Sequence, residues 1–256
     1  MGTAGRFLHT RTQRTPMLRT KISALALASA LCVPAFAAGK KGQVSAVVTA
    51  VKGAPVVQKA GESQSSKVKV GQFLYKGDTV RTKGEDMAAI AMVSGVELRI
   101  NGNTFFEVGD GGAGDRPAEL GLKLGQVWSR VMYKGAKVRV ISNVATMSVR
   151  GTEADVSLQN RLDVRVYEGH VDVSNAQGSQ ALSAGQMTTV MSAAMAPQAP
   201  REMGASDRLT WQDGISPKDA DGQLEKLRKE AGQSTLEFKT KDGKGVKFKL
   251  KKKGQK

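Results

Sequence analysis

ATMSVRGTEADVSL, Ala145 to Leu158, is the stretch on which the fold turns. Val149 and Val156 read as members of buried strands, yet Arg150, Gly151, Thr152 and Glu153 stand between them without a turn pair such as Asn-Gly. A charged tetrapeptide inside an apolar run needs a backbone reason. Gly151 supplies one: it permits a bulge or sharp bend that re-aims the chain, while Arg150 and Thr152 would tie down backbone groups exposed by the break. On either side the same texture continues. From Val44 to Val190 the chain consists of short valine-rich stretches at two-residue spacing, punctuated by glycine and with almost no helical period. VSAVVTAV from Val44, AAIAMV from Ala88, VELRI from Val96, KVRVI from Lys137, LDVRVY from Leu162 and MTTVM from Met187 are examples. That pattern predicts an all-β body over residues 38–191. Several strands are preceded by one small step, Gly42-Gln43, Gly71-Gln72, Gly125-Gln126 and Gly185-Gln186, in which glycine allows a tight approach and the polar residue is expected to face solvent. GDGGAG at 109–114 has no following helix to offer an amino end to phosphate and reads as a mobile hairpin loop.

Beyond Met191 the composition changes. Residues 192–215 read as an Ala/Pro-rich linker from which Trp211 docks back on the body. Ser216 and Pro217 mark a helix start; Leu224, Leu227 and Ala231 give residues 216–232 one apolar stripe, and Gly232 stops it. Residues 233–256 are patterned as a hairpin. Leu236, Phe238 and Thr240 alternate with charge, Asp242-Gly243 supplies a turn, and Val246, Phe248 and Leu250 return, leaving Lys239, Lys241, Lys247, Lys249 and Lys251 on the opposite face.

The amino-terminal residues are expected to be absent from the mature fold. Met17 begins MLRTKISALALASALCVPAFAAG, with Arg19 and Lys21 ahead of an apolar run from Ile22 to Val33 and the small-x-small triplet Ala35-Phe36-Ala37. This reads as a secretory signal peptide over residues 1–37, with the start at Met1 or Met17 left open. The apolar run is too short for the roughly 30 Å of a bilayer core. Leu31 ahead of Cys32, the only cysteine, disfavours lipid attachment, so the exported chain is expected to lack thiols and disulfides. A periplasmic or secreted location follows. The whole sequence carries a formal charge of +16, of which the leader holds five basic residues. Lys239 to Lys256 contains nine lysines and one aspartate, so the basicity belongs to a tail and the body is close to balanced.

The residue inventory restricts chemistry. With the leader gone, His170 is the one histidine, and on HVDV it shares parity with Asp172 on a face expected to be solvated. A histidine–cysteine zinc site and a thiol nucleophile have no residues to build them. The carboxylates show no helical metal-binding spacing. Glu153 and Asp155 share a strand face for which Arg150 and Arg165 are the expected neighbours. No enzyme, cofactor or metal site is predicted, and no dedicated nucleic-acid binding. The lysine tail has three readings: a solvated end, a polyanion-binding patch, or a folded hairpin covering a sheet edge; its alternation favours folding.

VGQFLYKGDTVRT (70–82), AAIAMVSGVELRI, LKLGQVWSRV, ATMSVRGTEADV, LDVRVYEGHVDV and LSAGQ, in that order, resemble the FecR domain over roughly residues 44–190. The motif positions are Gly77, Asp78, Val80, Arg81 and Thr82; Arg150, Gly151, Thr152 and Glu153; and Glu168 and Gly169. They are expected to be structural fasteners. Two positions depart from the family: Ala154 stands where a bulky aromatic is usual, and Ser142-Asn143 where Thr-Pro is usual. The resemblance implies a FecR-type β-sandwich or short β-solenoid. It also implies a role in signalling: the family's regulator joins a cytoplasmic anti-sigma segment, one membrane span and a periplasmic part. Neither the cytoplasmic segment nor the span is legible here. The expectation is therefore a free-standing exported binding or scaffolding module of the cell envelope, accessory to envelope or iron-linked signalling through a separate protein partner. The alternative is a structural envelope protein that binds an anionic polymer through the basic hairpin.

Overall fold

The computed structural model describes residues 43–232 and two further strands, Thr235–Thr240 and Gly245–Lys249. The expected leader, Lys241 and Lys251 lie outside the described residues. The strands are β1 (Val44–Lys52), β2 (Val56–Gln58), β3 (Ser65–Lys67), β4 (Phe73–Tyr75), β5 (Thr79–Arg81), β6 (Met87–Met92), β7 (Val96–Ile100), β8 (Phe105–Val108) and β9 (Ala118–Val131). They continue as β10 (Tyr133–Lys134), β11 (Lys137–Ile141), β12 (Thr146–Leu158), β13 (Leu162–Asn175), β14 (Gly178–Ser183), β15 (Gln186–Val190), β16 (Arg201–Glu202), β17 (Thr235–Thr240) and β18 (Gly245–Lys249). One helix, α1 (Ala220–Glu230), accompanies them. The chain is all-β, as its period-2 pattern predicts.

Three long strands, β9, β12 and β13, organise the rest by changing neighbours partway along. In β12, residues 146–150 pair with β11, whereas residues 153–158 pair with β9. In β9, residues 118–124 lie beside β11 and β8, and residues 125–131 beside β12 and β7. In β13, residues 170–175 pair with β14 and residues 162–165 with β15. Within one continuous, branched sheet the strands thus pass from one arm, which includes β14, β11, β8, β5 and β2, into another, which includes β15, β7, β6 and β1. Each crossing contains a glycine in the left-handed region: Gly125 (φ 98°), Gly151 (φ 64°) and Gly169 (φ 74°).

An extra residue at each crossing flips the facing of every later side chain. In β12 the residues that enter the main core are Met147 and Val149 before the bulge and Ala154, Val156 and Leu158 after it. In β9 they are Ala118, Leu120 and Leu122, then Val127. One apolar cluster takes residues from both arms, among them Ile90, Leu98, Phe106, Met147, Val156 and Val171. Leu162, Val164, Val166, Val171 and Val173 are each less than 1 % exposed, so burial of apolar area is what holds the crossing together.

The C-terminal segment runs along this body. Residues 192–215 are linker-like in composition, yet β16 pairs with β15, and Met203 and Ile215 are buried. Two 3₁₀ turns, Ala205–Asp207 and Trp211–Gly214, shape the path. The helix begins later than Ser216-Pro217 suggests, because Asp219 is the N-cap and its carboxylate accepts from the Gly222 amide. Leu224 and Leu227 bury against Val44, Val47, Ala91 and Val93. β17 and β18 form an antiparallel pair, with Leu236 opposite Phe248 and Phe238 opposite Val246, and β17 also pairs with β10. Among the described residues, no helix is long and apolar enough to cross a membrane. The 109–114 loop is pinned: Ser94 N donates to Gly111 O (3.0 Å) and Glu119 N to Asp110 O (2.7 Å), and Gly111 and Gly112 are buried.

Candidate functional site: a charged sheet face beneath a C-terminal strap

The first motif is a turn built around a buried carboxylate. Gly77 (φ 90°) reverses the chain, and Asp78 accepts from the backbone amides of Tyr75 (3.0 Å) and Ala60 (3.1 Å) and from Lys59 Nζ (2.6 Å). Val80 enters the core. Arg81 is exposed and lies over the Phe105 ring at 4.0 Å, a cation–π contact and not a backbone tie. Thr82 is buried; its hydroxyl donates to Asn101 O and accepts from the Thr104 amide (2.9 Å).

The second motif is the bend that its glycine suggests. Two residues of β12, Gly151 and Thr152, oppose Gly169 of β13, and Tyr167 is the extra residue on β13 one step later. Space around Gly151 is open, so a side chain there would meet backbone strain alone. Gly151→Val is expected to cost about 1–3 kcal/mol, which for a domain of this size lowers the melting temperature by several degrees. Unchanged thermal unfolding would contradict the bend. Arg150 does not reach Glu153 or Asp155: it is exposed and pairs with Asp172 at 3.6 Å. Of Thr152 only the backbone is described. Ala154 is fully buried and opposes Ser129 and Val166. Glu168 lies exposed on β13 opposite Glu153. His170 is exposed, its Nδ1 3.4 Å from Ser183 Oγ.

Past the bend the outward face of the sheet is charged and covered. It carries Glu97 and Arg99 from β7, Gln126, Trp128 and Arg130 from β9, Glu153 and Asp155 from β12, and Arg165 and Tyr167 from β13. Glu97, Arg99, Trp128 and Asp155 are all buried. Asp155 accepts from Gln126 Nε2 (2.9 Å), Trp211 Nε1 (2.8 Å) and Arg165 Nη1 (3.4 Å). Burial raises its pKa above the usual aspartate value against these donors. Trp128 Nε1 donates to Glu153 (3.1 Å), and Arg99 and Arg130 flank the Trp128 ring while both pair with Glu97.

The cover is residues 201–215. Arg201 makes a two-pronged pair with Asp207, whose pKa this lowers to about 2. Leu209 N donates to Tyr167 Oη (3.1 Å), Arg99 Nη1 donates to Gln212 O (2.8 Å), and Ile215 packs with Met87 and Ala89. The docking of Trp211 expected from sequence thus has a specific receptor, Asp155. A relay joins this site to the first motif. Thr82 binds Thr104, Thr104 Oγ1 accepts from Gln126 N (2.9 Å), and Gln126 reaches Asp155. Gln126, expected in solvent, instead spans the two. Arg99, Gln126 and Gln212 were not legible as site residues; the parity change between Val149 and Val156 was the available signal.

Among the described residues no group of His, Cys, Asp and Glu could hold a metal ion. Of the hairpin lysines, Lys239, Lys247 and Lys249 lie in β17 and β18. No curated protein matches the chain. Two solved structures are similar to it, both of a "putative anti-sigma factor" from Parabacteroides distasonis ATCC 8503, at 12 % and 13 % identity and TM-scores of 0.44 and 0.42, each covering 68 % of this chain and 99 % of the other. The family model described as FecR protein matches residues 78–172, which take in the motif positions from Asp78 to Gly169, both sides of the Gly151 bend and Asp155. The chain carries a FecR domain over those residues.

Proposed function

We propose that this chain is an exported cell-envelope module that recognises a protein partner through its FecR-type β body and serves a signalling pathway whose output lies in that partner. One observation carries the reading: Asp78, Arg81, Thr82 and Glu153 of the motifs are consumed by internal fastening. Asp78 closes a turn, Arg81 covers Phe105, and Glu153 holds Trp128. What they hold in place is a sheet face free to be touched. On the β14, β13, β12 and β11 side, Ser183, His170, Asp172, Arg150 and Ile141 are exposed on adjacent strands. Export with cleavage near Ala37 would place that face in the periplasm or outside the cell.

The second reading is adhesion of the lysine-bearing hairpin to an anionic envelope polymer. Salt separates the two, because exposed charge is screened within about 8–10 Å at physiological ionic strength. Partner retention from envelope extract should persist at high salt and in a chain with Lys239, Lys241, Lys247, Lys249 and Lys251 replaced by glutamine. Retention that collapses under both changes would transfer the function to the hairpin.

A further inference from the structure

The strap is an unusual cover. It crosses the sheet at a place where the sheet is charged, and its hold is mostly polar: one indole N–H on Asp155, one carbonyl on Arg99, one backbone amide on Tyr167, with Ile215 as the apolar anchor. The face beneath differs from the opposite face of the same strands, which is wholly apolar from Val127 through Val156 to Val164. Removing the strap would therefore expose charges and an aromatic ring that water can solvate, without opening the core. The fit is also incomplete. Arg165 Nε and Gln212 Oε1 are buried with no hydrogen-bond partner among the described residues, although Gln212 is only 8 % exposed. A buried donor without an acceptor is costly, so a segment offering Arg165 an acceptor would bind better than the strap does.

We propose that the face formed by β7, β9, β12 and β13 is a recognition site for a short segment of another protein that turns as Trp211–Gly214 does, and that residues 209–215 are its resident occupant. The segment presents an indole N–H to Asp155, a backbone carbonyl to Arg99, an acceptor to Arg165 and, four residues beyond the indole, a branched aliphatic side chain to Met87 and Ala89. This rests on the reading that the β body recognises a protein, and it adds the strapped face as a second contact beside the open face of β11, β12, β13 and β14. Gln126 and Thr104 link the occupied site to Thr82, so occupancy reaches the first motif through hydrogen bonds alone.

The test uses a fluorescent peptide with the sequence of residues 206–217. The full chain carrying Trp211→Ala should bind it at least about tenfold more tightly than the unaltered chain, since a tethered strap competes at an effective concentration on the order of millimolar. Exchanging the peptide's own tryptophan for alanine should abolish binding, as should adding Asp155→Ala to the chain. A folded Trp211→Ala chain that ignores the peptide overturns the proposal. So does a concentration-dependent dimer that exchanges straps, which would assign the site to a second copy. Should Trp211→Ala fail to fold, hydrogen exchange on the unaltered chain decides. Amides of residues 209–215 should exchange about a hundredfold faster than those of 153–158, and equal protection overturns displacement. Peptide binding needs no knowledge of the partner. Its failure therefore removes this site while leaving partner retention standing, and the reverse outcome removes the partner reading while leaving the site.

Discussion

Asp155→Ala is expected to lower the unfolding free energy by about 3 kcal/mol, because it leaves Arg165, whose side chain is 12 % exposed, without its counter-charge and strands the Gln126 and Trp211 donors. Urea unfolding with a check of Trp211 fluorescence measures both stability and release of the strap. A loss under about 1 kcal/mol would mean that the strap is not held here. The same residue fixes a pH dependence. Burial lifts its folded pKa above the ordinary aspartate value of 3.8, so the folded chain takes up this proton first. The contribution of this group is fully present below about pH 3.8 and is lost as pH rises through the folded pKa. In the difference between the natural chain and Asp155→Asn, which cancels other carboxylates, the natural chain should gain ground as pH falls from neutral toward that value. A flat difference would contradict the burial of an ionised carboxylate.

Gly125→Ala should be worse tolerated than any change at Gly151. Both glycines lie at crossings and both are left-handed, but their surroundings differ. Nothing stands near Gly151, whereas a Cβ on Gly125 would fall inside the contact distance of the Thr104 backbone and side chain. The backbone strain of about 1–2 kcal/mol is therefore joined by displacement of Thr104. Thr104 is fully buried and holds both the Thr82 hydroxyl and the Gln126 amide. A total above about 4 kcal/mol is expected, in the range reached by few single substitutions. The check is thermal unfolding of Gly125→Ala beside Gly151→Ala. Equal losses would show that Thr104 yields, and that the relay from Thr82 to Asp155 is slack.

Local chemistry made the strands legible and long-range geometry hid the site. Valine-rich runs at two-residue spacing are a property of each strand alone, so Val44, Ala88, Val96, Lys137 and Leu162 open or fall within strands where the pattern put them. Gly151 could be read as a bend because only its neighbours mattered. What the bend does depends on β9 and β11 being side by side, and no short window contains that. Arg165 was a legible neighbour of Asp155 because one hairpin connects them, whereas Arg150, closer in sequence, is left on the other side of the bulge and pairs with Asp172. Gly125-Gln126 reads as the start of a strand; it is the middle of one, and the parity change turns Gln126 onto the strapped face, where it reaches Asp155. The strap was hidden by composition. Alanine and proline suggest a solvated linker, and only the fold reveals that Trp211 and Ile215 arrive over a charged face prepared by strands far away in sequence.

The claim beneath all of this is that recognition belongs to the β body and not to the lysine hairpin. The most direct measurement is site-specific photo-cross-linking in intact cells, with the cross-linker at Ser148 on the open face of β12 or at Lys239 in β17. A discrete adduct from Ser148 that persists at high salt is the predicted result; adducts from Lys239 alone, lost as salt is raised, would contradict it.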